Sequence, residues 1–126
     1  MKVVVYGTLK RGYGNNSFLK NATFLQEVEI PNHTLFYSVG KGSFPVAKRE
    51  EGSTILGELF DISEDPVNIL NGLDWLEAEG DMYDRVNVLG SDDTYMYLGN
   101  KNYWRFDKME RCEQDNKDRF VWSRNG

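Results

Sequence analysis

The sequence predicts an α+β domain in which a mostly antiparallel sheet or closed barrel carries one or two helices. The chain has 126 residues, which suits a single domain with its own hydrophobic core. About six short segments rich in branched and aromatic residues follow one another along the chain, separated by turn residues, and do not alternate with helices. Consecutive strands of this kind favour antiparallel pairing.

The first strand is predicted at residues 2–6, a β-branched run that Gly7 ends. Residues 8–16 contain two glycines and two asparagines and predict a loop. Asn16 or Ser17 then caps a short helix that reaches residue 20.

Two further strands are predicted on either side of an interruption. Residues 23–30 alternate imperfectly between apolar and polar side chains, and residues 34–39 resume the pattern. Residues 31–33 lie between them, so His33 is expected in a surface turn and is assigned no role. Residues 40–45 are rich in glycine and predict a turn.

One helix is strongly indicated after a strand at residues 54–62. Asp65 is expected to be its N-cap, since the residue before a proline avoids the helical region and proline suits the first helical position. Gly80 marks the end. The predicted apolar stripe consists of Val67, Leu70, Leu73 and Leu76.

The remaining strands are predicted at residues 85–89 and 94–98, joined by a turn. Residues 101–126 mix charges of both signs and lack periodicity. They are compatible with a frayed end, with an arm that binds a protein partner, or with a last strand at residues 119–123. The sequence therefore predicts a domain at residues 1–100 and a charged C-terminal segment at residues 101–126.

Charge is distributed unevenly along the chain. The net charge of −5 combines 8 basic and 15 acidic side chains in residues 1–100 with 7 basic and 5 acidic ones in residues 101–126. Between Glu58 and Asp93 there are eleven acids and one base. Such a surface repels phosphate, which argues against a nucleic-acid partner. A solvated acidic face is the simplest interpretation.

The single cysteine and single histidine narrow the possible chemistry. Cys112 excludes an internal disulfide and suits a reducing cytoplasm. Together with His33 it leaves almost nothing for a metal site or for a Cys-His or Ser-His pair. No apolar run approaches the roughly 18 residues of a membrane span, so no membrane partner is expected. Any catalysis must rest on carboxylates, tyrosines and backbone groups, without metal or cofactor.

Glu77 is the leading catalytic candidate because helical spacing places it inside the apolar stripe. Burial raises the pKa of a carboxylate, as a general base working near neutral pH requires. The alternative is that Glu77 turns to solvent or pairs with Arg85. Glu58 and Glu79 are weaker candidates, for which solvent exposure or ion pairing is the simpler interpretation.

A second candidate feature is the segment Tyr6-Gly7-Thr8-Leu9, where a strand runs into a glycine turn. Glycine allows the backbone to turn sharply and to present N–H groups to an anion or an oxyanion. The segment lacks the Gly-Lys-Ser/Thr of a phosphate loop. Taken alone, it is also compatible with an ordinary turn.

Taken together, four motifs resemble the γ-glutamylcyclotransferase-like family. In this chain they read Tyr6-Gly7-Thr8-Leu9-Lys10-Arg11-Gly12, Gly57-Glu58-Leu59-Phe60-Asp61-Ile62, Leu73-Asp74-Trp75-Leu76-Glu77 and Tyr83-Asp84-Arg85. They occur in order over about residues 1–100. The resemblance implies a small mixed β-barrel flanked by helices, with a pocket whose floor is the Tyr-Gly-Thr-Leu loop.

The resemblance also implies roles for individual residues. Glu77 matches the catalytic glutamate, and Tyr83 matches a tyrosine close to the substrate. The backbone of Tyr6, Gly7, Thr8 and Leu9 would bind substrate. The family usually has glycine directly after the glutamate, whereas this chain has Ala78-Glu79 before Gly80. Lys10 and Arg11 are either solvated surface charges or an offset to the acidic surroundings of the loop.

The implied activity is cyclisation of a γ-glutamyl amine or peptide to 5-oxoproline, with release of the amine. Because the α-amine of the substrate is the nucleophile, no serine, cysteine, metal or cofactor is required. Two alternatives remain open from the sequence. The first alternative is an inactive barrel that binds a small ligand or a protein. The second is an enzyme that removes a γ-glutamyl group from a carrier protein.

Overall fold

The computed structural model describes residues 1–38 and 44–123, which form an α+β fold. Its α-helix, α1, is Pro66–Leu76, and short 3₁₀ helices occupy Gly14–Leu19 and Phe106–Lys108. The predicted turn at residues 40–45 falls largely outside the described residues. The strands are β1 (Lys2–Val5), β2 (Thr23–Tyr37), β3 (Pro45–Asp61), β4 (Tyr83–Asn87), β5 (Thr94–Gly99), β6 (Glu110–Arg111), β7 (Glu113–Gln114) and β8 (Phe120–Val121).

The strands pair in the order β4-β5-β1-β3-β2-β6, with β8 beside β3 and β7. Most pairs are antiparallel, which confirms the predicted fold class. β1 lies at the centre: Val3 pairs with Phe60 of β3 in the antiparallel sense and with Tyr95 of β5 in the parallel sense. The path has two ends within the described residues, so the sheet is open rather than a closed barrel.

The long hairpin of β2 and β3 differs from the prediction of shorter strands. The predicted interruption at residues 31–33 is a register shift within β2, where Pro31 pairs with Thr54 and His33 with Arg49. Asn32 takes a positive φ of 62° there. A bulge of this kind changes the direction of a strand without ending it. The partner strand β3 begins at Pro45, well before the predicted start of that strand at residue 54.

The expectation that His33 lies in a surface turn is wrong. Its side chain is 6 % exposed, and its Nδ1 lies 2.9 Å from the carbonyl oxygen of Pro31, to which it donates. Within the described residues its Nε2 is buried without a hydrogen-bond partner. Burial lowers the pKa of His33, so the neutral ring is favoured.

Helix α1 begins where predicted, and Leu70, Leu73 and Leu76 of the predicted stripe pack against the core, whereas Val67 does not. Asp65 occupies the N-cap position without a side-chain bond to the helix backbone, and its Oδ1 instead accepts from Asn68 at 3.0 Å. Ile69 and Leu73 are buried against the sheet, whereas Val67 is 69 % exposed. Val67 sits in the first turn of α1, and the first buried residue of the helix is Ile69, two residues later.

Two hydrophobic clusters form the core, and the side chains of β1 alternate between them, as pleating requires. Val4 packs in the first cluster, and Val3 and Val5 pack in the second, beside α1. The described C-terminal segment contributes Cys112, Phe120 and Trp122 to the first cluster. Strand β8 lies inside the predicted range 119–123. None of the described helices has the length and apolar character to cross a membrane.

Candidate active site

A cavity of about 210 Å³ opens where β1, β3, β4, β5 and the end of α1 converge. The residues singled out in the sequence, from the glycine loop and from around α1, all line this one cavity: Tyr6, Gly7, Thr8, Leu9, Glu77 and Tyr83. Among the described lining residues there is no cysteine, histidine, lysine or arginine. The cavity therefore combines one carboxylate with phenols, amide groups and apolar walls.

Glu77 follows the last residue of α1, and its N–H donates to the carbonyl of Leu73 at 2.9 Å. Its carboxylate has no hydrogen-bond or ion-pair partner among residues 1–38 and 44–123. Arg85, the partner considered from the sequence, instead pairs with Asp74 at 3.3 Å. Burial raises the pKa of Glu77 to about 7, so the carboxylate can take up and release a proton near neutral pH.

The glycine loop, residues 6–9, leaves β1 and turns beneath the cavity. The N–H groups of Gly7, Thr8 and Leu9 donate no hydrogen bond to any described residue, so they are available to an anionic ligand. The 3₁₀ helix after the loop braces it. Asn15 donates from Nδ2 to the Thr8 hydroxyl at 2.8 Å, and Asn16 donates from Nδ2 to the Leu9 carbonyl at 2.8 Å.

Gly7 lies against Pro45, the first residue of β3. A Cβ atom added at Gly7 would stand 2.5 Å from Cγ of Pro45, closer than packed carbon atoms approach. The glycine is therefore required by this close contact between the loop and β3, in addition to its place in the turn.

The hydroxyls of Tyr6 and Tyr83 are both engaged by main-chain carbonyls. Tyr6 donates to the carbonyl of Tyr97 at 2.6 Å, and Tyr83 donates to that of Pro45 at 3.1 Å. Burial is the main cause that raises the pKa of each phenol, and the nearby Glu77 adds to it. Both tyrosines are therefore neutral and serve as fixed walls of the cavity.

The other charged candidates from the sequence lie outside the cavity. Glu58 is buried and accepts from the backbone N–H of Arg11 at 2.9 Å and from its guanidinium at 3.4 Å. Glu79 is exposed and accepts from the N–H of Arg85 at 3.3 Å. Lys10 is half-buried rather than a solvated charge, and its Nζ donates to the carbonyl of Trp122 at 2.7 Å. These residues have structural partners and are not among the residues that line the cavity.

Tyr97, Met82 and Phe44 line the cavity but were not predicted from the sequence. Tyr97 sits in β5 among other aromatic residues, and nothing in a strand pattern separates a cavity residue from a core residue. The two asparagines of the 3₁₀ helix could have been suspected, because amides beside a glycine turn commonly bond to its backbone. Within the described residues no group of His, Cys, Asp or Glu side chains could hold a metal ion.

Residues 3–121 match the model of one protein family, described as gamma-glutamyl cyclotransferase, AIG2-like. This chain belongs to that family. A curated relative from Citrobacter rodentium, a gamma-glutamylcyclotransferase family protein called ytfP, is 35 % identical over 100 residues, which cover 77 % of this chain and 82 % of the relative. The family match includes the glycine loop, Glu77 and Tyr83, and it extends into the C-terminal segment.

Solved structures of other members of the AIG2-like family share the fold. The solution structure of ytfP from Escherichia coli aligns with a TM-score of 0.64 at 24 % identity, over 97 % of this chain and 96 % of that one. An AIG2-like protein from Mus musculus aligns with a TM-score of 0.63 at 21 % identity, over 99 % and 97 % of the two chains. At these sequence identities the similarity shows that the proteins share a fold.

Proposed function

We propose that this chain is a γ-glutamyl cyclotransferase that converts a γ-glutamyl amine or peptide to 5-oxoproline. The observation that carries the proposal is Glu77, a partly buried carboxylate without a partner among the described residues. It lines the same cavity as the glycine-loop N–H groups that donate to no described residue. A proton acceptor and an array of donors are what an intramolecular acyl transfer requires.

In the proposed reaction the α-amine of the substrate attacks its own γ-carbonyl carbon. A bond forms between that nitrogen and the carbonyl carbon, and the original amide bond to the leaving amine breaks. Glu77 takes a proton from the attacking nitrogen and returns one to the leaving nitrogen, so that the carboxylate is regenerated. Holding the γ-glutamyl chain folded supplies orientation, which can contribute about 7–11 kcal/mol in favourable cases.

The N–H groups of Gly7, Thr8 and Leu9 are assigned to the anionic part of the substrate. They stabilise either the oxyanion that develops on the γ-carbonyl or the α-carboxylate. No lysine or arginine lies among the described residues that line the cavity, so these backbone donors are the positive partners the cavity offers. Asn15 and Asn16 keep the loop in the geometry that presents them.

The experiment measures 5-oxoproline release from a panel of γ-glutamyl amines and γ-glutamyl peptides. Glu77→Gln should abolish release, since the amide cannot accept the proton, and the variant should remain folded. Glu79→Gln is the matched control: it removes an exposed carboxylate two residues away and should retain activity. Full activity in Glu77→Gln would refute the proposed role of this residue.

The same panel tests the alternative of an inactive binding module. If no compound yields 5-oxoproline while the wild-type protein binds γ-glutamyl compounds or a protein partner tightly, the proposed activity is wrong.

We assign the reaction to the cytoplasm, which suits the unpaired, buried thiol of Cys112.

A further inference from the structure

Three phenols line the same cavity as Glu77, and each donates its hydroxyl hydrogen bond to another acceptor. Tyr6 and Tyr83 donate to main-chain carbonyls, as described above. Tyr97 donates to Oδ1 of Asp74 at 2.6 Å, a short bond to a carboxylate. Tyr97 is thus the one phenol of the three whose acceptor is a side chain.

Asp74 joins helix α1, which ends just before Glu77, to strands β4 and β5. It lies in the last turn of α1, three residues before Glu77. Its Oδ1 accepts from Tyr97 of β5, and its Oδ2 pairs with Arg85 of β4 at 3.3 Å. Arg85 and Tyr97 are cross-strand partners, so one carboxylate binds both members of a single strand pair.

We propose that Asp74 is a positioning residue for Glu77: it accepts the hydroxyl hydrogen bond of Tyr97 and so leaves the Glu77 carboxylate without a competing donor. A phenol donates one hydrogen bond, and Asp74 accepts that of Tyr97. This inference rests on the proposed role of Glu77 as the proton acceptor. Without Asp74, the Tyr97 hydroxyl is free to donate to Glu77, which occupies a lone pair and stabilises the charged form.

The groups around Glu77 allow the effect to be isolated. Among the described residues, the titratable side chains that line the cavity with Glu77 are Tyr6 after β1, Tyr83 on β4 and Tyr97 on β5. Asp74 on α1 is not a lining residue and is linked to the cavity through its bond from Tyr97. Burial raises the pKa of Tyr97, and its bond to Asp74 raises it further, so this phenol keeps its proton. Arg85 stands behind Asp74 and reaches Glu77 through no contact in the described residues.

The test is a titration of the Glu77 carboxyl carbon by NMR in protein labelled with ¹³C-glutamate, with Glu77→Gln used to assign the resonance. Asp74→Asn removes the charge but keeps an oxygen that accepts from Tyr97. Asp74→Ala removes both. The proposal predicts that the midpoint of Glu77 is lower in Asp74→Ala than in Asp74→Asn by about one pH unit, as expected for a gained hydrogen bond to a carboxylate.

Adding Tyr97→Phe to both variants should remove this difference, because the competing hydroxyl is gone. Equal midpoints for Asp74→Ala and Asp74→Asn in the Tyr97 background would overturn the proposal, as would a difference that persists with Tyr97→Phe. The Asp74 side chain is 27 % exposed, and Asp74→Leu, which keeps the branched shape of the side chain without its polar atoms, replaces the alanine variant if the latter fails to fold.

The titration needs no turnover, so it separates the two ideas. Absence of 5-oxoproline release by the wild type contradicts the proposed function while the midpoints still report on Asp74. Normal turnover with equal midpoints rejects the positioning role alone. In an active enzyme, Asp74→Ala should lower kcat more than it raises KM, since the donor competes with proton transfer rather than with binding.

Discussion

Nζ of Lys10 donates to the carbonyl oxygen of Trp122 at 2.7 Å, which ties the residue after the glycine loop to the C-terminal segment. The Trp122 ring also packs against Tyr13, with centroids 5.2 Å apart. Burial lowers the pKa of Lys10. The C-terminal segment therefore supports the loop that lines the cavity.

Trp122→Ala should destabilise the protein by about 3–5 kcal/mol, because a large buried side chain is lost from the core. The matched control is Trp75→Ala, which removes a ring that is 77 % exposed and should cost less than about 0.5 kcal/mol. Chemical denaturation of both variants measures the difference. Equal midpoints would contradict the packing of the C-terminal segment.

Stability should fall as pH rises through the range in which Glu77 ionises. Its pKa is raised from 4.5 to about 7 on folding, so the folded state holds a proton that the unfolded state has lost between these values. At about 1.4 kcal/mol per pH unit, full ionisation costs about 3 kcal/mol. Relative to Glu77→Gln, the unfolding free energy of the wild type should decline from pH 4.5 to 7 and be unchanged below.

The pH profile of kcat/KM should rise with a midpoint near 7, since the carboxylate must be ionised to accept the proton of the attacking amine. The profile is measured from pH 5 to 9 with one γ-glutamyl substrate of the panel. A profile that is nearly level from pH 5 to 9, as the ordinary glutamate pKa of 4.5 would give, would show that the group responsible is not desolvated.

Gly7→Ala should lower activity and cost about 1–3 kcal/mol, because the added methyl group meets Pro45 and forces the loop away from β3. Gly14→Ala is the comparison: no heavy atom lies within 4 Å of its added Cβ, and both properties should be nearly unchanged. Activity assays and denaturation curves on the two variants decide the matter. Full activity in Gly7→Ala would mean that the position of the loop against Pro45 is not needed.

Ala78→Gly should stabilise the protein by about 0.5–1 kcal/mol. Ala78 has a φ of 46°, in the left-handed region where a Cβ is unfavourable. Glycine relieves this strain, partly offset by its greater freedom in the unfolded chain. The resemblance described above implies a glycine directly after the glutamate, and glycine adopts a positive φ without a Cβ clash. A lower denaturation midpoint for Ala78→Gly would contradict this explanation.

Local patterns predicted the helix and the turn that line the candidate cavity. The spacing of α1 placed Glu77 toward the interior, and the glycine after β1 predicted a turn. Neither pattern alone separated a site from an ordinary helix end or an ordinary turn, and the resemblance of the four motifs to a family was needed to single out these residues.

Features that depend on distant contacts were missed. The continuation of β2 past Pro31 follows from pairing with β3, and no local rule separates a bulge from the end of a strand. The buried Trp122 lies in a stretch without periodicity, and its environment comes from residues far away in the chain. Tyr97 became a cavity residue only because β1, β4 and α1 meet around it.

The central position of β1 also determines when the cavity can form during synthesis. β1 is synthesised before its neighbours β3 and β5, which lie much later in the chain. The valines of β1 can pair with β3 and β5 only after both strands have been synthesised. Non-local pairing of this kind slows folding. The loop that follows β1 acquires its last support when Trp122 arrives, so a nascent chain that stalls earlier presents an incomplete cavity.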